Sequence, residues 1–348
     1  MNQRHSAFLS SLVAAITIAA PQASAQLNTS VEKPAKSVKP AKNWVLSHTP
    51  VGQPDLEGIW NNSTITPLER PRELAGKEFF TEQEAVAYER TFLADASTDR
   101  RDGSPEVDVN RSYNELFRER GGVVRTRRTS LIIDPPDGRI PALTPAAAKR
   151  EAERAADRRR RGPDPADTTA DRNLAERCIT RGAPKLPGGY NNNFQIYQTP
   201  GYVAIFSEMI HETRIIPLDT NVQKAPPHVS PNIRLWLGDS RGRWEGNTLV
   251  VDTTNFNDQI ISNNFNCCRA AGRNLHIVER FTRVSEDMID YRYTVDDPST
   301  YTRPWTVEVP MTKTEGPIYE YACHEGNYAL EDILKGARAQ EAAGRKKP

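Results

Sequence analysis

Long hydrophobic runs are missing from this 348-residue chain. Mean hydropathy is −0.66, and the one sustained apolar stretch, Ala7 to Ala20, is shorter than the roughly 20 residues a bilayer span needs. No membrane span is therefore expected. A surplus of charge is missing too: 46 Lys and Arg face 45 Asp and Glu, for a net charge of +1. No general field draws the chain to nucleic acid or anionic lipid, so neither is expected as a partner. Cysteine is scarce, with four in all. Cys267-Cys268 and Cys323-His324 lack the gaps of about two to four residues that let paired ligands converge on one tetrahedral ion, so no metal site is expected. The chain also has no Gly-x-Ser-x-Gly elbow, phosphate-binding loop, Gly-x-Gly-x-x-Gly turn or His-Glu-x-x-His helix. Serine-hydrolase, nucleotide and zinc-protease chemistry drop out, and nothing requires a cofactor.

What is present points to an exported, folded protein. Arg4 and His5 precede the apolar run, and Ala23-Ser24-Ala25 offers the small residues at which a signal peptide is cut, so residues 1–25 read as a leader and Gln26 as the mature start. Periplasmic or secreted localisation follows. In that oxidising space a disulfide is expected. A bond between the neighbours Cys267 and Cys268 would be strained, and Cys178 with Cys323 flanks the densest strand pattern, so that pairing is preferred among those the sequence leaves open.

Composition and turn chemistry divide the rest. Residues 26–53 form a Lys/Pro tether around Lys33-Pro34-Ala35-Lys36 and Lys39-Pro40-Ala41-Lys42, which can neither pair as a strand nor bury apolar area. Residues 54–189 carry helices and a hairpin. Thr81 and Glu84 have capping-box spacing before a helix from Glu82 to about Leu93, and Ser112 with Glu115 repeats it before a shorter one. Thr129 to Ile133 and Arg139 to Leu143 flank a Pro-Pro-Asp-Gly turn and read as a hairpin. Thr144, Pro145 and Gly162 bracket an Arg-rich helix with almost no large apolar side chain, which must therefore be largely solvated. Residues 190–334 read as strands at Phe194–Thr199, Tyr202–Ile216, Ile233–Leu237, Thr248–Asp252, Leu275–Val284, Met288–Val295, Pro304–Met311 and Ile318–Ala322, with turns between them. Sequential strands without intervening helices predict a mainly β fold, an antiparallel meander closed as a barrel or folded as a sandwich, with a few N-terminal helices. Residues 335–348 read as a mobile tail.

Alternation then assigns faces. If Tyr202 to Ile216 is one strand, Val203, Ile205, Ser207, Met209 and His211 share one face, and Phe206, Glu208, Ile210, Glu212 and Arg214 the other. Histidine is the natural acid or base near neutral pH. On this reading His211 is a general base, Glu325 or Tyr321 an acid, and Arg214 steadies an anionic group. Tyr291, Tyr293, Trp305, Tyr319, Trp236 and Trp244, with His324 and Asn327, line a small-molecule site. The competing reading makes the rings plain core and His211 a satisfied structural imidazole. Tyr190-Asn191-Asn192-Asn193 can bind a ligand amide or form turns, and turns are favoured.

The strings Gly238-Asp239-Ser240-Arg241-Gly242-Arg243-Trp244-Glu245-Gly246-Asn247-Thr248-Leu249-Val250-Val251 and Tyr321-Ala322-Cys323-His324-Glu325-Gly326-Asn327 resemble those of a family of exported bacterial proteins, with the likeness running from about Pro54 to Arg338. The resemblance implies export but no activity. The chain departs from that pattern at Asn247, where aspartate is more typical, and at Cys267-Cys268. Gly58-Ile59-Trp60 is also similar to the Gly-x-Trp that opens lipocalin-type barrels, which implies a cavity for a small, partly apolar ligand. The expected function is thus small-molecule binding by an exported barrel, with cofactor-independent acid–base catalysis (a lyase, hydrolase or isomerase) as its enzymatic version. The alternative is an envelope structural or interaction protein.

Overall fold

The computed structural model describes residues 44–344 apart from 111–113, 124, 163–164, 260–267 and 269–270. The expected leader, the Lys/Pro repeats, Ser112 and Cys267 lie outside the described residues. Strand-forming segments rich in β-branched and aromatic residues give ten strands: β1 (Gly58–Asn61), β2 (Ile132–Asp134), β3 (Asn193–Thr199), β4 (Tyr202–Ser207), β5 (Glu212–Pro217), β6 (Asp239–Glu245), β7 (Thr248–Thr254), β8 (His276–Ser285), β9 (Met288–Asp296) and β10 (Trp305–Lys313). They pair antiparallel in the order β5-β4-β3-β1-β10-β9-β8-β7-β6, and β2 also pairs with β10. The end strands meet at a single parallel bridge, Leu218 to Gly242. The result is a nearly closed, mainly β barrel, as the sequence pattern predicts.

Closure depends on Gly242. A Cβ there would lie 2.6 Å from the Leu218 side chain and 2.9 Å from that of Ile216, so only glycine lets β5 approach β6 this closely. Residues 239–242, in a stretch the sequence places among the turns, belong instead to β6.

The pleat sends every second side chain inward. Register aligns Leu249 with Phe281, Phe281 with Tyr291 and Tyr291 with Val309 in one tier, and Val251, Glu279, Tyr293 and Val307 in the next. These residues join Trp60, Trp244, Ile277 and Trp305 in one continuous core, so most of the lumen is filled. Among them Glu279 is a carboxylate set between Ile277 and Phe281 on β8, 1% exposed.

Helix α1 (Glu82–Ala96) begins at the expected Thr81–Glu84 capping box. A six-residue helix, α2, spans Pro105–Asn110. Helix α3 (Pro145–Arg161) has Thr144 as N-cap and Gly162 as C-cap, and Ala147 is its buried residue, consistent with a solvated Arg-rich helix. Helix α4 runs Tyr328–Ala342, across the boundary expected at Leu334. Other expectations change. Ile132–Asp134 pairs with β10 rather than with the Arg139 stretch, so β1 and β2 bring the N-terminal region into the sheet. Ile233–Leu237 is a loop carrying one bridge, at Leu235, and Ile318–Ala322 is not a strand. Tyr202–Ile216 is broken by a turn at Met209–His211, where Ile210 (φ 61°) and His211 (φ 41°) are left-handed. That turn makes a hairpin and changes which residues share a face.

Candidate functional site

The β4–β5 hairpin pairs Ile205 with Arg214 and Val203 with Ile216, so Arg214 points inward beside Val203, Ile205 and Ser207. Inside, it meets Glu279 of β8 on the opposite wall. Arg214 Nη2 donates to Glu279 Oε1 at 2.9 Å, and Nη1 donates to Oε2. Tyr291 Oη donates to Glu279 Oε1 at 2.7 Å. A bidentate guanidinium satisfies a buried carboxylate far better than a point charge does. Burial pushes the Tyr291 hydroxyl well above the ordinary tyrosine range, and the neighbouring Glu279 charge adds to it.

Beside this triad lies a pocket of about 490 Å³, open mouth included. Its enclosed part has room for only a few heavy atoms. Phe194, Ile205, Leu237, Phe281 and Met311 give it apolar walls, while Lys185, Ser207, Glu212, Arg214, Glu279 and Tyr291 supply the polar groups.

Each ionised or ionisable lining group has a reason for its place. Glu212 opens β5. Its carboxylate accepts from Thr180 Oγ1 at 2.6 Å and from the Arg181 backbone N–H at 3.2 Å. Burial nonetheless raises its pKa, because those bonds offset only part of the lost hydration. Lys185 donates to the Asn191 carbonyl and lies 5.4 Å from the centre of the Phe194 ring. Burial lowers its pKa to about 8, against the opposing pull of Glu119 and Glu208. Ser207 Oγ is buried in the wall and has no hydrogen-bond partner.

The wall containing Thr180–Lys185 is anchored by the disulfide between Cys178 and Cys323, the pairing expected from sequence, with a Cα–Cα distance of 5.7 Å. Asn327 belongs to this anchor: its amide donates to the Glu176 carbonyl at 3.2 Å. His211 Nδ1 donates to the Tyr321 carbonyl at 2.7 Å, which fixes its tautomer. Tyr190 and Tyr321 pack with Met209 and Ile210 in a small satellite cluster.

The sequence-predicted residues therefore separate. Arg214 and Tyr291 line the pocket. Trp244, Tyr293 and Trp305 are buried core, and Trp236 is half-buried in the turn before β6. His211, His324, Glu325 and Tyr319 are exposed, outside the pocket lining, so the expected placement of His211 and Glu325 inside the barrel is not what the chain adopts. The reason is the Met209–His211 turn and the absence of a final strand. Asn191 is left-handed (φ 54°), Asn192 is buried with Nδ2 donating to Glu119 and the Gly188 carbonyl, and Asn193 opens β3 with Nδ2 donating to Glu208 at 2.9 Å. Lys185, Glu212 and Glu279 were not singled out as site residues by sequence. An acid alternating with Ile277 and Phe281 was the available signal for Glu279; nothing comparable marks Lys185.

A second polar cluster sits on the outer side of β6–β8. His228, on the β5–β6 crossover, meets Asp239 at 2.7 Å through Nδ1 and Asp252 at 3.0 Å through Nε2. His276 Nε2 meets the other Asp252 oxygen at 2.9 Å, and Arg241 pairs with Asp239 at 2.9 Å. The Asp252 hydrogen bond raises the His276 pKa. Burial alone would raise Asp252, but its bonds to His276 and His228 outweigh that and hold it low. This arrangement ties the crossover, which carries Leu237 to the pocket, onto the sheet. Among the described residues no group of His, Cys, Asp and Glu is arranged to hold a metal ion. Comparison with protein-family models, curated proteins and solved structures finds no match.

Proposed function

We propose that this is an exported small-molecule-binding barrel whose ligand enters the pocket between β4–β5, the Thr180–Lys185 wall and β8–β9. The observation that carries this reading is the Arg214–Glu279–Tyr291 triad inside a largely filled lumen, beside a concave site with apolar walls. Export is supported by the signal-like N-terminal sequence and by the Cys178–Cys323 disulfide. Among the described residues no helix is long and apolar enough to cross a membrane. The fully buried Trp60 of the Gly-x-Trp string supports the lipocalin-type comparison.

A second reading, acid–base catalysis, is favoured by one observation: Glu212 is raised and Lys185 is lowered to about 8 in the same pocket. Titratable groups moved toward neutrality from both sides are what proton transfer requires. On that reading Glu212 and Lys185 exchange the proton and Arg214 orients the substrate, rather than His211, Tyr321 or Glu325. A thermal-shift screen of small amphipathic compounds tests the binding reading. Hits should raise Tm in the wild type and lose that effect in Leu237→Trp, which fills the pocket from its loop wall. Hits that act equally on both proteins would remove the pocket from the account. Product formed by the wild type but not by Glu212→Gln would select the catalytic version.

A further inference from the structure

The polar lining of the pocket is not equally available to a ligand. Arg214 is engaged by Glu279, and Glu279 by Arg214 and Tyr291. Glu212 accepts from Thr180 and the Arg181 amide, and Lys185 donates to the Asn191 carbonyl among the acids Glu119, Glu208 and Glu212. The lining polar side chain that has no partner is Ser207, 8% exposed, whose Oγ is buried in the wall. A buried hydroxyl without a partner is costly, and its persistence calls for a partner supplied from elsewhere.

We infer that the pocket selects an uncharged ligand, an aromatic or aliphatic body carrying one hydroxyl or carbonyl group that hydrogen-bonds Ser207. The inference rests on the pocket reading above and specifies its ligand class. A charged ligand would lose its hydration and find Arg214 and Glu279 already paired with each other and Glu212 and Lys185 already held by hydrogen bonds of the wall, whereas an uncharged one loses little. The apolar body fits against Phe194, Ile205, Leu237, Phe281 and Met311, and the limited enclosed space admits the polar end of a molecule rather than a second ring.

Four probes of one skeleton test this by calorimetry at neutral pH: benzyl alcohol, toluene, benzoate and benzylamine. Benzyl alcohol should bind at least tenfold tighter than benzoate or benzylamine. Ser207→Ala should weaken benzyl alcohol by about five- to tenfold, the worth of one net hydrogen bond, and leave toluene unchanged. Ser207→Thr, which keeps the hydroxyl, should restore the alcohol's advantage. In the free protein Ser207→Ala should not lower Tm, since it removes an unsatisfied group. Tighter binding of benzoate or benzylamine overturns the uncharged class while leaving the pocket intact. Equal losses for alcohol and toluene in Ser207→Ala overturn the role of Ser207. Binding by none of the four in the wild type overturns the pocket reading itself.

Discussion

Replacing Arg214 by methionine tests whether the lumen is dry. The Arg214 side chain is 10% exposed and that of Glu279 1%, so the pair is shielded from solvent on both sides. Removing Arg214 leaves Glu279 with the Tyr291 hydroxyl as its remaining hydrogen-bond donor. An uncompensated buried charge costs about 3–5 kcal/mol. Removing both ions, as Arg214→Met with Glu279→Leu, takes away the charge as well as its partner. The residual cost is then the orphaned Tyr291 hydroxyl, about 1–3 kcal/mol. Adding Tyr291→Phe should bring stability back near the wild type. Urea denaturation measures the series: midpoints should shift in that order at constant m. Arg214→Met costing under about 1 kcal/mol, as an exposed pair would, refutes the reasoning. A double variant as damaged as the single one refutes it equally.

Other consequences follow from the same geometry. Cys178→Ser with Cys323→Ser opens a link across 145 residues, and loop entropy puts the loss at about 4–5 kcal/mol, read as a lower urea midpoint. Because burial holds Lys185 at about 8 in the folded chain against 10.5 unfolded, the folded state binds fewer protons between those values. Stability should rise with pH across that window by up to about 1.4 kcal/mol per unit, and a plot of wild type minus Lys185→Met should show this slope. His276 is raised above 6.5 and Asp252 is lowered below 3.8. The contribution of His276 is fully present below 6.5 and fades as pH rises through its folded value; that of Asp252 is present above 3.8 and fades as pH falls through its own. His276→Gln should therefore cost stability at pH 6 and little at pH 9, and proteolysis within residues 218–238 should quicken in parallel.

The barrel was legible because its β7–β10 segments alternate cleanly and are separated by strong turn residues, and because each turn joins neighbours in the sheet. The capping box at Thr81 and the cap at Thr144 were local signals and appear as read. The Cys178–Cys323 pairing was legible from where those residues flank the strands. What sequence obscured were places where long-range packing decides. Met209–His211 looks like continuing strand, yet two left-handed residues turn it into a hairpin and bring Arg214, which a single strand would place on the face opposite Val203 and Ile205, inward beside them. Gly238–Gly242 looks like a turn, yet the approach of Leu218 makes glycine a requirement of strand closure. The site was half legible for the same reason. Arg214 and Tyr291 carry a visible chemistry on strands, but Glu279, which neighbours Tyr291 across β8–β9, reaches Arg214 from the opposite wall, and Lys185 arrives on an irregular segment that has no periodicity to read.

Native mass spectrometry of the protein purified from the cells and medium of its own source tests the central claim most directly. The account predicts a single small organic molecule, uncharged once released, retained by the wild type and absent from Leu237→Trp. Masses corresponding only to the bare chain, or an adduct equally present on Leu237→Trp, would contradict it.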